Sequence, residues 1–394
     1  MTGFTRRDAL AAAALLPMRL SAAPAVDEPA IRAAARAGKR SFGAAVQTRQ
    51  LADAPFCDAI LAQCDSLTPE LALKWAALQP GEGAFDFRAM DAIAAFARAH
   101  RRRIHGHTLL WHRSVPEWAP AAMARDGWEA VHRYFATVIG RYGDLVDRWD
   151  VVNEPVEPQD DADGLRRSAF HAAFGPDYVR RALDSARELA PHARLLINEY
   201  GLEHPIAEEE RRRARLLRLI DDLKRRNAPL DGIGIQGHLR LDRGAIDQTR
   251  LARFLQDIAD RGLVVFVTEL DVREADFDLP IERRDAAVAA TVRAFLDVAL
   301  AQRAVQAVTT WGLSDRYSWL NEDGEIGTRH AGGNRGLPLD AALRPTPFHA
   351  ALLQAFGHAR PAVHAPGRPA APAKASRTTA IPRQRAPSLL MQDR

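Results

Sequence analysis

The chain has 394 residues, 47% of them hydrophobic, with 54 Lys/Arg against 50 Asp/Glu. That length and apolar content can bury one large core, which excludes a disordered or fibrous chain. The net charge of +4 belongs to the ends: residues 1–23 carry +2 and residues 358–394 carry +6, leaving −4 on 24–357, so the folded part does not read as a nucleic-acid binder.

The chain opens with Arg6-Arg7 ahead of a short apolar run that ends at Leu16, followed by the small residues Ser21-Ala22-Ala23. This pattern predicts a twin-arginine (Tat) export signal over 1–23, with a periplasmic or secreted product and no membrane insertion after export. The apolar run is too short to span a bilayer. Cys57 and Cys64 lie seven apart in a helical stretch, roughly 10 Å between Cα atoms, too far for a disulfide.

Eight short apolar runs follow, at 41–46, 66–70, 103–111, 146–153, 193–198, 232–237, 263–268 and 305–311. No run joins the next through a two-residue hairpin turn, and each gap can hold a helix. Strands alternating with helices predict a parallel sheet, and eight such units predict an α/β fold of the (β/α)8 TIM-barrel type as a single domain over 24–357. An open doubly wound sheet would bring a Gly-rich nucleotide loop, and none follows an early strand. One helical stretch, 208–226, pairs Glu208 with Arg212, Glu209 with Arg213, Asp221 with Arg225 and Asp222 with Arg226 at i,i+4, which predicts a solvated charged face. From 358 the chain is rich in Pro, Ala and Arg without apolar periodicity, which predicts a disordered tail.

In a TIM barrel the chemistry lies at the C-terminal strand ends. Here those ends carry Glu70, Lys74 and Trp75; His107, Trp111 and His112; Asn153 and Glu154; Gln236 and His238; Glu269 and Asp271; and Trp311. Two glutamates after apolar strands supply the proton donor and the anion that cleavage of a glycosidic bond requires. Indoles suit the flat apolar faces of sugar rings. His107 and His112, five apart on one strand, are expected on opposite faces, so no metal site and no cofactor is implied.

The ordered motifs resemble the family-ten glycoside hydrolases, mostly endo-β-1,4-xylanases, over roughly residues 30–357. They are Phe42-Gly43-Ala44-Ala45-Val46, Glu70 with Lys74-Trp75, and Gly106-His107-Thr108-Leu109 with Trp111-His112. Then come Trp149-Asp150-Val151-Val152-Asn153-Glu154, Gly234-Ile235-Gln236-Gly237-His238, Thr268-Glu269-Leu270-Asp271, Trp311-Gly312 and Asp315-Arg316-Tyr317-Ser318-Trp319. The resemblance implies a retaining endo-xylanase with Glu154 as acid/base and Glu269 as nucleophile, the latter held by His238 and Asp271. It implies that Asn153 binds the sugar 2-hydroxyl and that Lys74, His107, Trp111 and Gln236 line the same subsite. Trp311 and Trp319 would form its aromatic wall, Tyr200 would stack on the leaving-group sugar, and Glu70 would bind substrate. Three positions depart from the family pattern: Leu71 for Asn, Ser114 for Gln, and Glu199 for Asp. The expected partner is xylan or a xylo-oligosaccharide, bound by a monomer. Another retaining β-1,4-glycanase (a cellulase or exo-glycosidase) and a non-catalytic sugar-binding barrel are the competing readings.

Overall fold

The computed structural model describes residues 30–159, 162–322 and 333–363. The segment expected to be a Tat leader, 1–23, and the tail beyond 363 lie outside the described residues. Eight parallel strands form the centre: Ser41–Val46 (β1), Ser66–Pro69 (β2), Arg103–Gly106 (β3), Val146–Asn153 (β4), Arg194–Glu199 (β5), Gly232–Ile235 (β6), Val264–Arg273 (β7) and Val305–Thr310 (β8). Each pairs with the next, and β8 returns to β1 with Ala307 opposite Ser41, so the sheet closes into the (β/α)8 barrel that the alternation implies. Short segments Leu110–Trp111 and His238–Arg240 continue β3 and β6 beyond the rim and pair with the ends of β4 and β7.

Alternation along the strands makes two apolar layers. On β7, Val265 and Val267 join the large core under the helices. Val264 and Phe266 instead join Leu196 and Ala307 in a small separate cluster. The Arg148 guanidinium lies over the Phe266 ring at 5.2 Å. Outside the strands run the helices Ala54–Gln63 (α1), Arg88–Ala99 (α2), Glu129–Tyr142 (α3), Tyr178–Leu189 (α4), Ala207–Arg225 (α5), Gln248–Asp260 (α6), Ile281–Ala301 (α7) and Pro347–His358 (α8). Asp53 caps α1 and Asp247 caps α6, each accepting a backbone N–H three residues on.

Three sequence expectations change. The folded chain runs past 357: Ala362 N–H bonds Gly38 O at 3.0 Å and Val363 N–H bonds Arg303 O at 3.1 Å. Buried Arg40 fixes this segment by donating to Arg360 O at 2.6 Å, and it also donates to the carbonyls of Leu300 and Val305. α5 is not a solvated face throughout, because Glu209, Arg212 and Arg213 at its start are buried. Glu209 pairs with Arg243 at 2.7 Å and Arg213 with Glu210 at 3.0 Å, while Glu208–Arg212 and Asp222–Arg226 keep the i,i+4 spacing. The run 103–111 is broken after Gly106, where Thr108 Oγ1 donates to Asp150 O at 2.7 Å. Cys57 and Cys64 are both free.

Candidate active site

The strand ends surround one cavity of about 810 Å³, whose wall includes every residue singled out above as catalytic or substrate-binding. Glu154 follows the last residue of β4 with φ +56°. Its amide donates to Asn198 O at 2.8 Å, and Arg166 Nε donates to its carbonyl at 3.0 Å. This turn sends the side chain across the rim. There Oε2 accepts from Trp111 Nε1 at 2.9 Å and Oε1 from Gln236 Nε2 at 3.1 Å.

Glu269, on β7, is only 4% exposed. Its Oε1 accepts from Asn198 Nδ2 at 2.7 Å, and Oε2 lies 3.2 Å from His238 Nε2. His238 Nδ1 is 2.8 Å from Asp271 Oδ1, and Asp271 Oδ2 accepts from Trp319 Nε1 at 2.6 Å. Burial pushes the Glu269 carboxyl up, but His107 and His238 outweigh it and hold the group below its ordinary value. Burial pushes His238 down, yet Asp271 and then Glu269 hold it well above the usual imidazole range. The result is a buried anion beside a half-buried cation, each stabilising the other's charged form.

A hydrogen-bonded chain joins the two glutamates. Gln236 Nε2 reaches both Glu154 Oε1 and, at 3.4 Å, Asn153 Oδ1. Asn153 Oδ1 also accepts from Asn198 Nδ2 at 2.9 Å, and that amide also serves Glu269. Thr268 Oγ1 donates to Asn198 Oδ1 at 2.7 Å and so fixes the amide's orientation. Asn198 has room because position 234 is glycine: a Cβ there would sit 2.2 Å from Asn198 Oδ1.

Further polar and aromatic groups complete the cavity. Lys74 Nζ lies 4.2 Å from the Trp111 ring centroid, and burial lowers its pKa against the pull of Glu269, Glu70 and Glu154. Trp311 sets its ring edge to face with His107 and His238, at 5.2 and 6.2 Å. The Arg212 guanidinium lies 4.1 Å from the Tyr200 ring centroid, backing that aromatic face. Glu70 is buried, and that burial raises its pKa.

The sequence reading missed several groups. Asp150, in mid-strand on β4, is fully buried and bonds His105 Nε2 and His107 Nδ1, both at 2.9 Å. Burial raises Asp150, but the two imidazoles hold it below the usual carboxylate range. His112 does not point away from His107: its Nδ1 is 3.8 Å from Glu154 Oε2, and both rings line the cavity. The strict alternation that separated them fails at the break after Gly106. Burial lowers His112 to about 4, against the pull of Glu154. Among the described residues, no cluster of three His, Cys, Asp or Glu could hold a metal ion.

The three departures fall in different places. Leu71 lines the cavity and is 51% exposed, a large apolar side chain facing open space. Ser114 turns to the backbone, where Oγ accepts from Ala76 N–H at 3.4 Å. Glu199 sits behind Glu154 with no exposure, accepting from Val156 N–H at 2.9 Å and lying 3.6 Å from Arg212. Burial raises Glu199 to about 8, against Arg212 and reinforced by Glu154.

A family model described as Glycosyl hydrolase family 10 matches residues 30–355. An endo-1,4-beta-xylanase of Agaricus bisporus is 33% identical over 297 residues, covering 73% of this chain and 84% of that protein. Endo-1,4-beta-xylanase A of Fusarium oxysporum f. sp. lycopersici is 35% identical, covering 72% and 86%. The crystal structure of native xylanase 10B from Thermotoga maritima superposes with a TM-score of 0.73 at 27% identity, covering 83% of this chain and 98% of that one.

The His238–Asp271 contact generates a test. A histidine held above its unfolded value of about 6.5 contributes stability fully present below that pH and lost as pH rises through its folded pKa. Asp271→Asn removes the strongest raising partner, so the stability lost above that pH should be smaller, and the loss complete at a lower pH, than in the parent. Urea unfolding from pH 5 to 9 reads the stability, and imidazole NMR reads the titration. An unchanged His238 titration in the variant contradicts this account.

Proposed function

Because the chain belongs to glycosyl hydrolase family 10, we infer that it is a retaining endo-β-1,4-xylanase, with Glu154 as its general acid/base and Glu269 as its nucleophile. The observation that carries this assignment is the unequal treatment of two carboxylates in one cavity. Glu269 is buried, kept anionic and immobilised through both oxygens. Glu154 is oriented by neutral donors, Trp111 and Gln236. A fixed anion suits attack on an anomeric carbon, and an oriented carboxyl suits proton transfer.

In the first step Glu269 attacks the anomeric carbon as Glu154 gives its proton to the departing glycosidic oxygen. A covalent glycosyl–Glu269 ester results. In the second step Glu154 takes a proton from water, whose oxygen attacks the same carbon and releases Glu269. Two inversions give net retention. His238, charged and held by Asp271, keeps Glu269 anionic and positioned. Asn153 binds the 2-hydroxyl of the sugar being cleaved. Lys74, His107, Trp111 and Gln236 surround that sugar, with Trp311 and Trp319 as its apolar wall. Tyr200 stacks on the leaving-group sugar, and Glu70 binds the next sugar on the retained side.

Glu154→Ala should lower turnover of xylan by about 10²–10⁴-fold. On aryl xylobiosides whose leaving groups need no protonation it should spare the first step and leave the second slow. Azide should restore their turnover as the β-xylobiosyl azide, since azide needs no general base. NMR of the azide and of the parent enzyme's first-formed hydrolysis product reads the anomer, and an α-product in either case contradicts the mechanism.

Leu71 offers sugar hydroxyls neither donor nor acceptor, and one neutral hydrogen bond contributes about 0.5–1.5 kcal/mol. Leu71→Asn should therefore raise kcat/KM on xylotriose a few-fold, up to about tenfold. A fall would mean that Leu71 is fitted to its own ligand.

A further inference from the structure

Beyond the reacting centre, the cavity wall carries an arginine cluster that cleavage of a neutral polymer does not use. His238–Arg240 and the end of β7 run side by side in register: His238 is opposite Asp271, Leu239 opposite Val272, and Arg240 opposite Arg273. Side chains two apart on a strand share a face. Arg240 and Arg273 therefore stand one cross-strand pair beyond the His238–Asp271 pair, about 6–7 Å further out along the strands. Both line the cavity, together with Arg243.

Like charges placed directly opposite on neighbouring strands repel. Two of the three arginines are neutralised locally. Arg240 grips Asp242 through Nε at 2.9 Å and Nη2 at 2.6 Å. Arg243 donates to the buried Glu209 at 2.7 Å. Among the described residues, Arg273 has no carboxylate in ion-pair range, although the body of the chain carries a net negative charge. A guanidinium half-buried in a cleft beside two others, with only the longer-range pull of Asp242 on it among the described residues, is a receptor for an anion. Its planar fork suits a carboxylate. The xylan backbone has none, but a uronic acid side chain does.

We propose that Arg273, supported by Arg240 and Arg243, binds the carboxylate of a uronic acid branch on xylan, so that acidic xylans are the preferred substrates. This rests on the xylanase reading of the site. The test compares kcat/KM on 4-O-methylglucuronoxylan with that on the same polymer after its uronic acids are reduced to alcohols, with linear xylohexaose as the uncharged reference. The parent enzyme should favour the acidic polymer by roughly three- to tenfold at low salt. The preference should shrink toward unity in 1 M salt, where the screening length is about 3 Å. Arg273→Gln should bring the ratio of the two polymers to about one. Equal rates on the two polymers with the parent enzyme overturn the proposal, as does an undiminished preference in Arg273→Gln. Failure to cleave xylohexaose would instead remove the xylanase reading itself.

Discussion

A carboxylate buried as deeply as Glu269 loses several kcal/mol of hydration, and it stays charged only where the protein replaces that water. Here the replacement comes from His238, His107 and the Asn198 amide. None of these is positioned by itself. His238 depends on Asp271, Asp271 on Trp319, His107 on Asp150, and Asn198 on Thr268 and on the absence of a side chain at Gly234. The buried charge therefore organises the ends of β3 to β7 and the loop after β8. A closed barrel supplies these partners because it brings strands distant in sequence to one rim.

The proposed acid/base is built on the opposite principle. Glu154 sits on a turn with positive φ, a conformation that must be held from outside. The holders are charged and lie behind it. Arg166 takes its carbonyl, Glu199 takes the amide of Val156, and Arg212 donates to the carbonyl of Val156 at 3.1 Å. The buried start of α5, which supplies Arg212, is thus part of the site's scaffold. The same arginine backs the Tyr200 ring, so one residue links the aim of the proposed proton donor to the surface proposed for the leaving group.

Much of this was legible in the sequence because a TIM barrel makes polar strand ends informative. Glu154, Glu269, His238 and Asp271 stand just after apolar runs, where a merely structural role would be costly. The supporting residues carried weaker signals. Asp150 lies inside β4 and reads as strand interior, and its role appears only when β3 brings His105 and His107 beside it. Strict alternation through 103–111 puts His112 on the wrong face, because the chain breaks after Gly106. The α5 charges fit i,i+4 pairing so well that their long-range partners, Arg243 for Glu209 and Glu199 for Arg212, had no sequence signature. The docking of 359–363 under the barrel was hidden by a Pro/Ala/Arg composition that gives no periodicity.

The central claim is that the buried carboxylate held below its ordinary pKa, Glu269, is the one that bonds to the sugar. A 2-deoxy-2-fluoro-β-xylobioside with a good leaving group should inactivate the protein by trapping the glycosyl ester, because fluorine slows the second step more than an activated leaving group slows the first. Peptide mass spectrometry of the inactivated protein should place a single fluoroxylobiosyl group on Glu269. A label on Glu154 would contradict the account.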